Sequence, residues 1–194
     1  MINTKKELNR FIAQDRLMNG VSEYKTISYR ITRLIVPNQI IRYLKYLRKE
    51  EYYTNRGSVL SYYYKYKKSN LGLKLGFSIP ANVFGAGLSL PHTGTIVVSK
   101  YAKVGENCRL HVCTNIGASA GKREAPIIGN NCYIGPGAIL FGEISIADNT
   151  TIAAMQRLIK VALCPMSYLP VHLLKLSKRT IKIGPFLITL SKLS

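Results

Sequence analysis

Two histidines, His92 and His111, are the side chains in the central part of this sequence best suited to move a proton near neutral pH. An imidazole titrates close to neutrality, so it can take a proton from a hydroxyl group and return it within one reaction cycle. His92 lies in the string Leu90-Pro91-His92-Thr93-Gly94, at a position that is otherwise aliphatic, and a polar side chain buried there would need a hydrogen-bond partner. For His111 a solvent-facing side chain is the simpler interpretation, with a role in a site as the alternative.

A glycine-rich stretch, Gly117-Ala118-Ser119-Ala120-Gly121-Lys122, follows the second histidine. Its glycines allow the backbone to approach a ligand closely, and Lys122 can meet a phosphate group as a point charge. A flexible surface loop is the alternative interpretation. Asn115 before the stretch and Glu124 after it offer polar groups that can orient a ligand. Asn115 can equally belong to a ladder of stacked asparagines.

The histidines and cysteines do not have the spacing of a metal site. A three-histidine zinc centre needs three suitably placed imidazoles, and the repeat described below contains two histidines. The four cysteines form no CxxC pair, and Cys108 and Cys132 fit small buried positions of that repeat. We therefore predict no metal cofactor and a reducing, cytoplasmic setting.

The element that must position these residues is a sixfold repeat. Aliphatic side chains recur at every sixth position from Val98, and only Lys122 breaks this sixfold series: Val98, Val104, Leu110, Ile116, Ile128, Ile134, Leu140, Ile146 and Ile152. Small residues mostly stand two places before each member, and glycine or alanine often stands just after it. Neither a helix nor an ordinary strand repeats every six residues, whereas a coil of short parallel strands does. Residues 72–154 are therefore predicted to form a hexapeptide β-helix, a mainly β fold.

The series is interrupted at residues 118–125 and returns in phase at Ile128, so the interruption replaces one hexapeptide. We expect these residues to loop out from the β-helix. Loops that leave a rigid scaffold are where binding residues concentrate, which strengthens the interpretation of Gly117–Lys122 as part of a site.

The regions on either side of the repeat are basic. The chain has 28 Lys and Arg against 9 Asp and Glu, a net charge of +19, with the excess in residues 1–70 and in the last 40. Residues 1–71 show apolar residues at helical spacing, as in Ile40–Lys49, and predict two or three helices. Their mixture of tyrosine and lysine fits a stacking platform for nucleic acid, but helix packing with outward lysines is the preferred interpretation.

The string Leu90–Val98, the stretch Ile116–Lys122 and Ile134-Gly135-Pro136-Gly137-Ala138 closely resemble the hexapeptide-repeat acyltransferases of the serine acetyltransferase type, including polysaccharide O-acetyltransferases. The resemblance covers about a third of the chain. It implies a left-handed β-helix, a homotrimer with acetyl-CoA bound between neighbouring β-helices, and His92 as the catalytic base. It also implies that Gly117, Ala118, Ser119, Gly121 and Lys122 bind acetyl-CoA.

The sequence departs from the serine acetyltransferase pattern at two places. Those enzymes have an aspartate ahead of the catalytic histidine that orients it, where this chain has Phe77-Ser78-Ile79-Pro80. They also have a second histidine before a proline, where this chain has Glu124-Ala125-Pro126. We therefore expect a sugar hydroxyl of an envelope or capsular polysaccharide as the acceptor, with Glu124, Asn115 and His111 as substrate-binding or orienting residues.

Two other functions are retained as alternatives. The first is serine O-acetyltransferase of cysteine biosynthesis. The second is a non-enzymatic basic protein that binds nucleic acid or a membrane surface. We expect no nucleic-acid partner and at most peripheral membrane contact, because the sequence contains no apolar run of 18 residues and no signal peptide.

The sixfold series ends at Ala154, and residues 155–194 form a basic, non-repeat tail with seven Lys and Arg and no acid. A basic amphipathic segment is one interpretation. The other is a shift of reading frame. Permitted codons for Met155–Lys160, read one base earlier, encode N-A-A-V-N-K, whose valine falls on the next sixfold position. The same shift over Val171–Arg179 can encode C-T-P-A-K-I-I-K-K, which resembles the family's usual ending.

Overall fold

The computed structural model describes residues 1–21, 38–119 and 123–159. Three helices precede the β-helix: α1 (Lys5–Met18), α2 (Gln39–Asn55) and α3 (Leu60–Leu75). Thr4 begins α1 with a capping box, in which its hydroxyl accepts from the Glu7 amide and the Glu7 carboxylate accepts from the Thr4 amide. Gly76, in the left-handed conformation, ends α3. The helical region expected for residues 1–71 therefore extends to Leu75.

The β-helix consists of short parallel strands in three sheets. The strands are β1 (Phe77–Ser78), β2 (Ile96–Val98), β3 (Lys103–Val104), β4 (Arg109–Leu110), β5 (Thr114–Gly117), β6 (Ile127–Ile128), β7 (Tyr133–Ile134), β8 (Ile139–Phe141), β9 (Ser145–Ile146), β10 (Thr151–Ile152) and β11 (Arg157–Ile159). Within the described residues the sheets have the orders β1-β2-β5-β8-β11, β3-β6-β9 and β4-β7-β10. Each turn of the chain contributes one strand to each face, and the fold is a left-handed parallel β-helix, as predicted.

Burial confirms the sixfold series. Leu110, Ile116, Ile134 and Leu140 are inaccessible to solvent, and Ile146 is the one member that is only partly buried. Ala102, Cys108, Thr114, Cys132 and Ala138 are also buried, two residues before the aliphatic side chains. One large and one small inward side chain per face therefore fill the core, as the pattern predicted.

Strand pairing shows how the interruption is accommodated. Ile96 pairs with Thr114, and Tyr133 with Thr151, so an ordinary coil advances 18 residues. Across the interruption the advance is 24 residues, as between Lys103 and Ile127. One hexapeptide is thus absorbed without changing which side chains point inward. This confirms the prediction that the interruption replaces one hexapeptide without disturbing the paired faces.

The glycines that follow members of the sixfold series lie where successive coils stack. A Cβ on Gly105 would come within 2.7 Å of Gly129, and a Cβ on Gly135 would come within 2.9 Å of Ala153. Ala147 and Ala153 follow β9 and β10, the last described strands of their sheets. The alternation of glycine and alanine at this position therefore records whether another coil covers the residue.

A buried arginine joins the helices to the first coil of the β-helix. The Arg48 guanidinium donates Nε and Nη2 to Asp15 at 2.7 and 3.1 Å, and Nη1 to Glu51 at 3.0 Å. It also donates to the carbonyl oxygens of Phe84 and Gly85 at 2.9 and 2.6 Å. All five guanidinium donors are thereby used, so this buried charge is fully satisfied.

The β-helix also runs past Ala154, where the aliphatic series ends in the sequence. Strand β11 pairs with β8, and Leu158, opposite Leu140, packs partly against the core. The frame-shifted segments assigned to residues 160–194 lie outside the described residues. None of the described helices has the length and hydropathy that crossing a bilayer would require.

Candidate functional site

His92 is exposed to solvent in the bend that leads into β2. Although it is spaced six residues before Val98, its side chain does not enter the core, because residues 91–95 form a bend rather than a strand. The hydrogen bond that burial would have demanded is not required, and the His92 ring makes none within the described part of the chain. The imidazole is free to meet a ligand from solvent.

His111 lies beside His92, in the turn after β4. Its ring centroid is 6.0 Å from that of His92 and 4.9 Å from that of Tyr133, so the three rings form one outer-surface cluster. Its backbone amide donates to the Ile134 carbonyl at 3.1 Å, and its carbonyl accepts from the Thr114 hydroxyl at 2.7 Å. These bonds fix the turn on which the second imidazole stands.

The electrostatics around His111 favour its neutral form. Burial lowers its pKa most, and the neighbouring charges of Arg109 and His92 lower the pKa further. Its Nε2 atom is enclosed and has no hydrogen-bond partner among the described residues. Because a neutral imidazole can accept as well as donate a hydrogen bond, His111 can orient a polar group held next to His92.

Asn115 is half-buried on the outer face of β5. Its neighbours on the adjacent strands are Val97 and Ile139, so the asparagine ladder that was one interpretation of Asn115 does not pass through it. The ladder runs instead through Asn107, Asn131 and Asn149, whose side-chain amides hydrogen-bond in sequence at 3.3 and 3.1 Å. The amide of Asn115 remains as a polar group on an otherwise apolar strip.

The loop at 118–125 leaves the β-helix after Gly117. The Ser119 amide donates to the Glu124 carbonyl at 2.9 Å, which closes the loop at its base. Gly117 lies beneath the ring of Phe141, so its missing Cβ makes room for that ring. Ala118 packs partly against the core, while Gly121 and Lys122 lie outside the described residues.

Two features of the site were missed in the sequence. Tyr133 packs on His111 because β4 and β7 are neighbours, with Arg109 opposite Tyr133. The 24-residue advance across the interruption was the signal that pairs them. The second feature is Tyr101, which lies under the charged ends of both Lys100 and Arg123, at 5.1 and 5.9 Å from its ring centroid. This contact connects the end of the loop to the turn after β2.

A cleft elsewhere in the described residues does not coincide with the histidines. It has a volume of about 480 Å³, lies between α1 and the first coil, and is lined by Ile2, Phe11, Glu51 and Phe84 among others. It contains none of the predicted site residues. The histidines occupy an open outer surface of the β-helix instead, where a second surface would be needed to enclose a ligand. Among the described residues, no cluster of His, Cys, Asp or Glu has the arrangement of a metal site.

Comparison with known proteins gives the same family type for the repeat region. No family model matches the chain. It is 32% identical over 78 residues to the serine acetyltransferase of Synechococcus elongatus, covering 39% of this chain and 32% of that protein. It is 29% identical over 83 residues to the serine acetyltransferase of Mycobacterium tuberculosis, covering 42% and 36%. The chain thus spans about a third of the length of these curated relatives.

The fold extends the likeness beyond the repeat. The structure of soybean serine acetyltransferase complexed with serine superposes with a TM-score of 0.64 at 20% identity, covering 81% of this chain and 65% of that one. That coverage exceeds the share matched in sequence, so the helices as well as the β-helix contribute to it. The described chain has the fold of the serine acetyltransferases.

Proposed function

We propose that this protein is an acetyl-CoA-dependent O-acetyltransferase in which His92 is the general base. The observation that supports this most is the exposed His92 imidazole beside a largely neutral His111, on a β-helix similar in sequence and fold to serine acetyltransferases. The relatives being enzymes also favours catalysis over the alternative of a non-enzymatic basic binding protein.

In the proposed reaction His92 takes the proton of the acceptor hydroxyl as the oxygen attacks the thioester carbonyl carbon. The carbon–sulfur bond then breaks, and the thiolate of coenzyme A leaves and takes up the proton. His92 needs no covalent intermediate for this role, only an unprotonated nitrogen within reach of the hydroxyl. His111 and Asn115 are proposed to orient the acceptor, since both present polar atoms on the same side of the β-helix as His92.

The acetyl-CoA site is assigned to Gly117, Ala118 and Ser119, continuing through Gly121 and Lys122. The hydrogen bond between Ser119 and Glu124 holds the base of this loop beside β5. A bound thioester lying along β5 would pass Asn115 and reach the histidine cluster. Glu124, whose backbone carbonyl closes the loop, remains a proposed orienting residue.

The relatives favour serine as the acceptor over the polysaccharide hydroxyl expected from the sequence. A sugar hydroxyl stays as the second candidate because of one observation. Residues 77–80, where serine acetyltransferases have an orienting aspartate, contain no acid, and within the described residues no carboxylate hydrogen-bonds to His92. Both acceptors require the same base and the same acyl donor.

The two acceptors can be separated by following thiol release from acetyl-CoA. A rate that depends on serine supports the serine assignment. A rate with monosaccharides or oligosaccharides and none with serine supports the sugar assignment. No transfer to any hydroxyl, from protein whose folding has been verified by circular dichroism, would overturn the proposed activity itself.

We also propose that the protein acts as a cytoplasmic homotrimer. The histidine cluster is open in one chain, and a neighbouring β-helix is the surface expected to complete the acetyl-CoA site. Light scattering after gel filtration tests the trimer. A monomer that retains full activity would contradict it.

The tail at residues 155–194 is proposed to be out of frame from near codon 155. Leu158 falls on the sixfold position to which the shifted frame assigns valine, so either frame places an aliphatic residue opposite Leu140. Resequencing the gene across codons 150–160 decides between them, and confirmation of the present frame would refute the shift.

A further inference from the structure

Helix α3 presents an apolar row that nothing in the described part of the chain covers. Tyr62, Tyr66 and Leu73 are 75%, 62% and 84% exposed, and their spacing of four and seven residues sets them on one side of the helix. Val59 and Tyr63, both exposed, extend the row at its first turn. We call these five residues the α3 stripe. Contiguous exposed apolar side chains of this kind mark an interaction surface more often than a bare protein surface.

The α3 stripe is distinct from the residues that pack the helices together. Tyr64 stacks on Tyr53 of α2 with ring centroids 5.3 Å apart, and the Lys49 ammonium lies 4.8 Å from the Tyr64 centroid. Lys68 on the same inner side pairs with Glu50 at 2.7 Å. Helix packing therefore explains Tyr64 and Lys68 but not the outward tyrosines.

The surface around the stripe is strongly positive. Exposed bases lie on both helices of the α2–α3 hairpin: Arg42, Lys45, Arg56, Lys65 and Lys74. The hairpin contains two acids, Glu50 and Glu51, and both are buried in ion pairs, with Lys68 and Arg48 respectively. An approaching partner therefore meets positive charge with no compensating carboxylate.

We propose that the α3 stripe and its flanking lysines bind the surface of an anionic lipid bilayer. Tyrosine rings suit the boundary between headgroups and acyl chains, and lysines near the surface are attracted by anionic lipid. A second copy of the same face would be repelled by its own like charge. Nucleic acid would use the tyrosines for stacking, but it would gain nothing from Val59 and Leu73, which a lipid interface buries.

Binding of the full chain to vesicles tests this proposal independently of acetyl transfer. The chain should float with vesicles of phosphatidylcholine containing phosphatidylglycerol and should float less with phosphatidylcholine alone. Binding should weaken as salt is raised, because exposed charges are screened. Equal binding to both vesicles, or binding to neither, would overturn the proposal.

Two variants separate the apolar from the electrostatic contribution. Replacing Tyr62, Tyr66 and Leu73 with serine should reduce partitioning by about ten-fold or more. Replacing Lys65 and Lys74 with glutamine should reduce it by about five-fold for each lysine. Ile127→Ser is the matched control, because Ile127 is an exposed apolar residue on the β-helix, and it should bind like the parent chain.

The remaining outcomes are decisive in the other direction. All variants are compared after their helical circular dichroism and thermal unfolding are shown to match the parent. A serine triple variant that still binds anionic vesicles fully would show that the stripe is not used. Tighter binding to single-stranded RNA than to vesicles, shared by that variant, would indicate a polyanion site instead. A change of oligomeric state in the variant, with vesicle binding unchanged, would assign the stripe to a second copy.

Discussion

The imidazole rings of His92 and His111 lie with their centroids 6.0 Å apart, although the two residues belong to different coils of the β-helix. One ring is exposed and the other is half-buried. This difference gives each a separate task. The exposed ring can meet the acceptor, while the enclosed ring is kept largely uncharged at neutral pH by burial, Arg109 and His92, which lower its pKa.

Replacing His92 with alanine is expected to reduce acetyl transfer by about 100-fold or more, because general-base catalysis typically contributes that much. Stability should change little, since His92 is exposed. Steady-state rates at saturating acetyl-CoA provide the measurement. Lys103→Ala, an exposed residue on another face of the β-helix, is the matched control. A His92 variant within a few-fold of the parent rate would exclude His92 as the base.

Removing the charge of His92 should raise the pKa of His111. In the His92→Gln variant the positive neighbour is gone, but burial and Arg109 remain, so the pKa of His111 should stay below its ordinary value. Titration of the imidazole nitrogens by NMR measures this directly. Arg109→Gln should act in the same direction. A pKa for His111 that falls or does not move in both variants would contradict the proposed coupling.

The lowered pKa of His111 also predicts how stability depends on pH. The unfolded chain holds the proton more tightly than the folded chain, so this contribution is complete above the ordinary histidine pKa of about 6.5 and falls as pH drops below it. His111→Gln should flatten the stability curve over that acidic range. Denaturant unfolding at a series of pH values tests this, and an unchanged slope would refute it.

The buried ion cluster makes Arg48 the most sensitive single position in the helical region. Arg48→Ala leaves Asp15 and Glu51 buried without their cation, and should lower the free energy of unfolding by about 3–5 kcal/mol. Burial already raises the pKa of Glu51, and loss of Arg48 removes an opposing effect. The folded variant then binds protons more tightly than the unfolded chain, so its deficit should shrink as pH falls.

Chemical denaturation at neutral and mildly acidic pH measures both effects. Arg42→Ala provides the comparison, because Arg42 is exposed on the same helix and should change stability by no more than about 0.5 kcal/mol. A loss at Arg48 as small as that at Arg42 would mean that the cluster does not hold the helices to the β-helix.

The sequence was sufficient to predict the β-helix because the fold repeats the same physical requirement on every face. Each of Leu110, Ile116 and Ile134 needs an inward aliphatic position, and the period of six states that requirement locally. The interruption was also predictable, since the phase is kept on both sides of it. Periodicity reports local geometry, and it was reliable where structure is set locally.

The rest depends on contacts between residues far apart in the chain. Arg48 is bound by Asp15 and by the carbonyls of Phe84 and Gly85, and no local pattern connects these three elements. The spacing of His92 predicts an inward side chain, but the bend at residues 91–95 overrides the period. Tyr133 was missed because its contact with His111 follows only once the longer coil is counted.

Gly129 offers the sharpest test of coil stacking. A Cβ at Gly129 would approach the Asp148 amide nitrogen to 2.6 Å and would also crowd the Asp148 carboxylate, which accepts from the Asn130 amide at 2.7 Å. The backbone of the next coil must move to admit it, so Gly129→Ala should lower the free energy of unfolding by about 1–3 kcal/mol. Ala147→Ser, at the equivalent position one coil later, should cost no more than about 0.5 kcal/mol. Thermal and denaturant unfolding of the two variants provide the comparison, and equal losses would mean that stacking does not select glycine at this position.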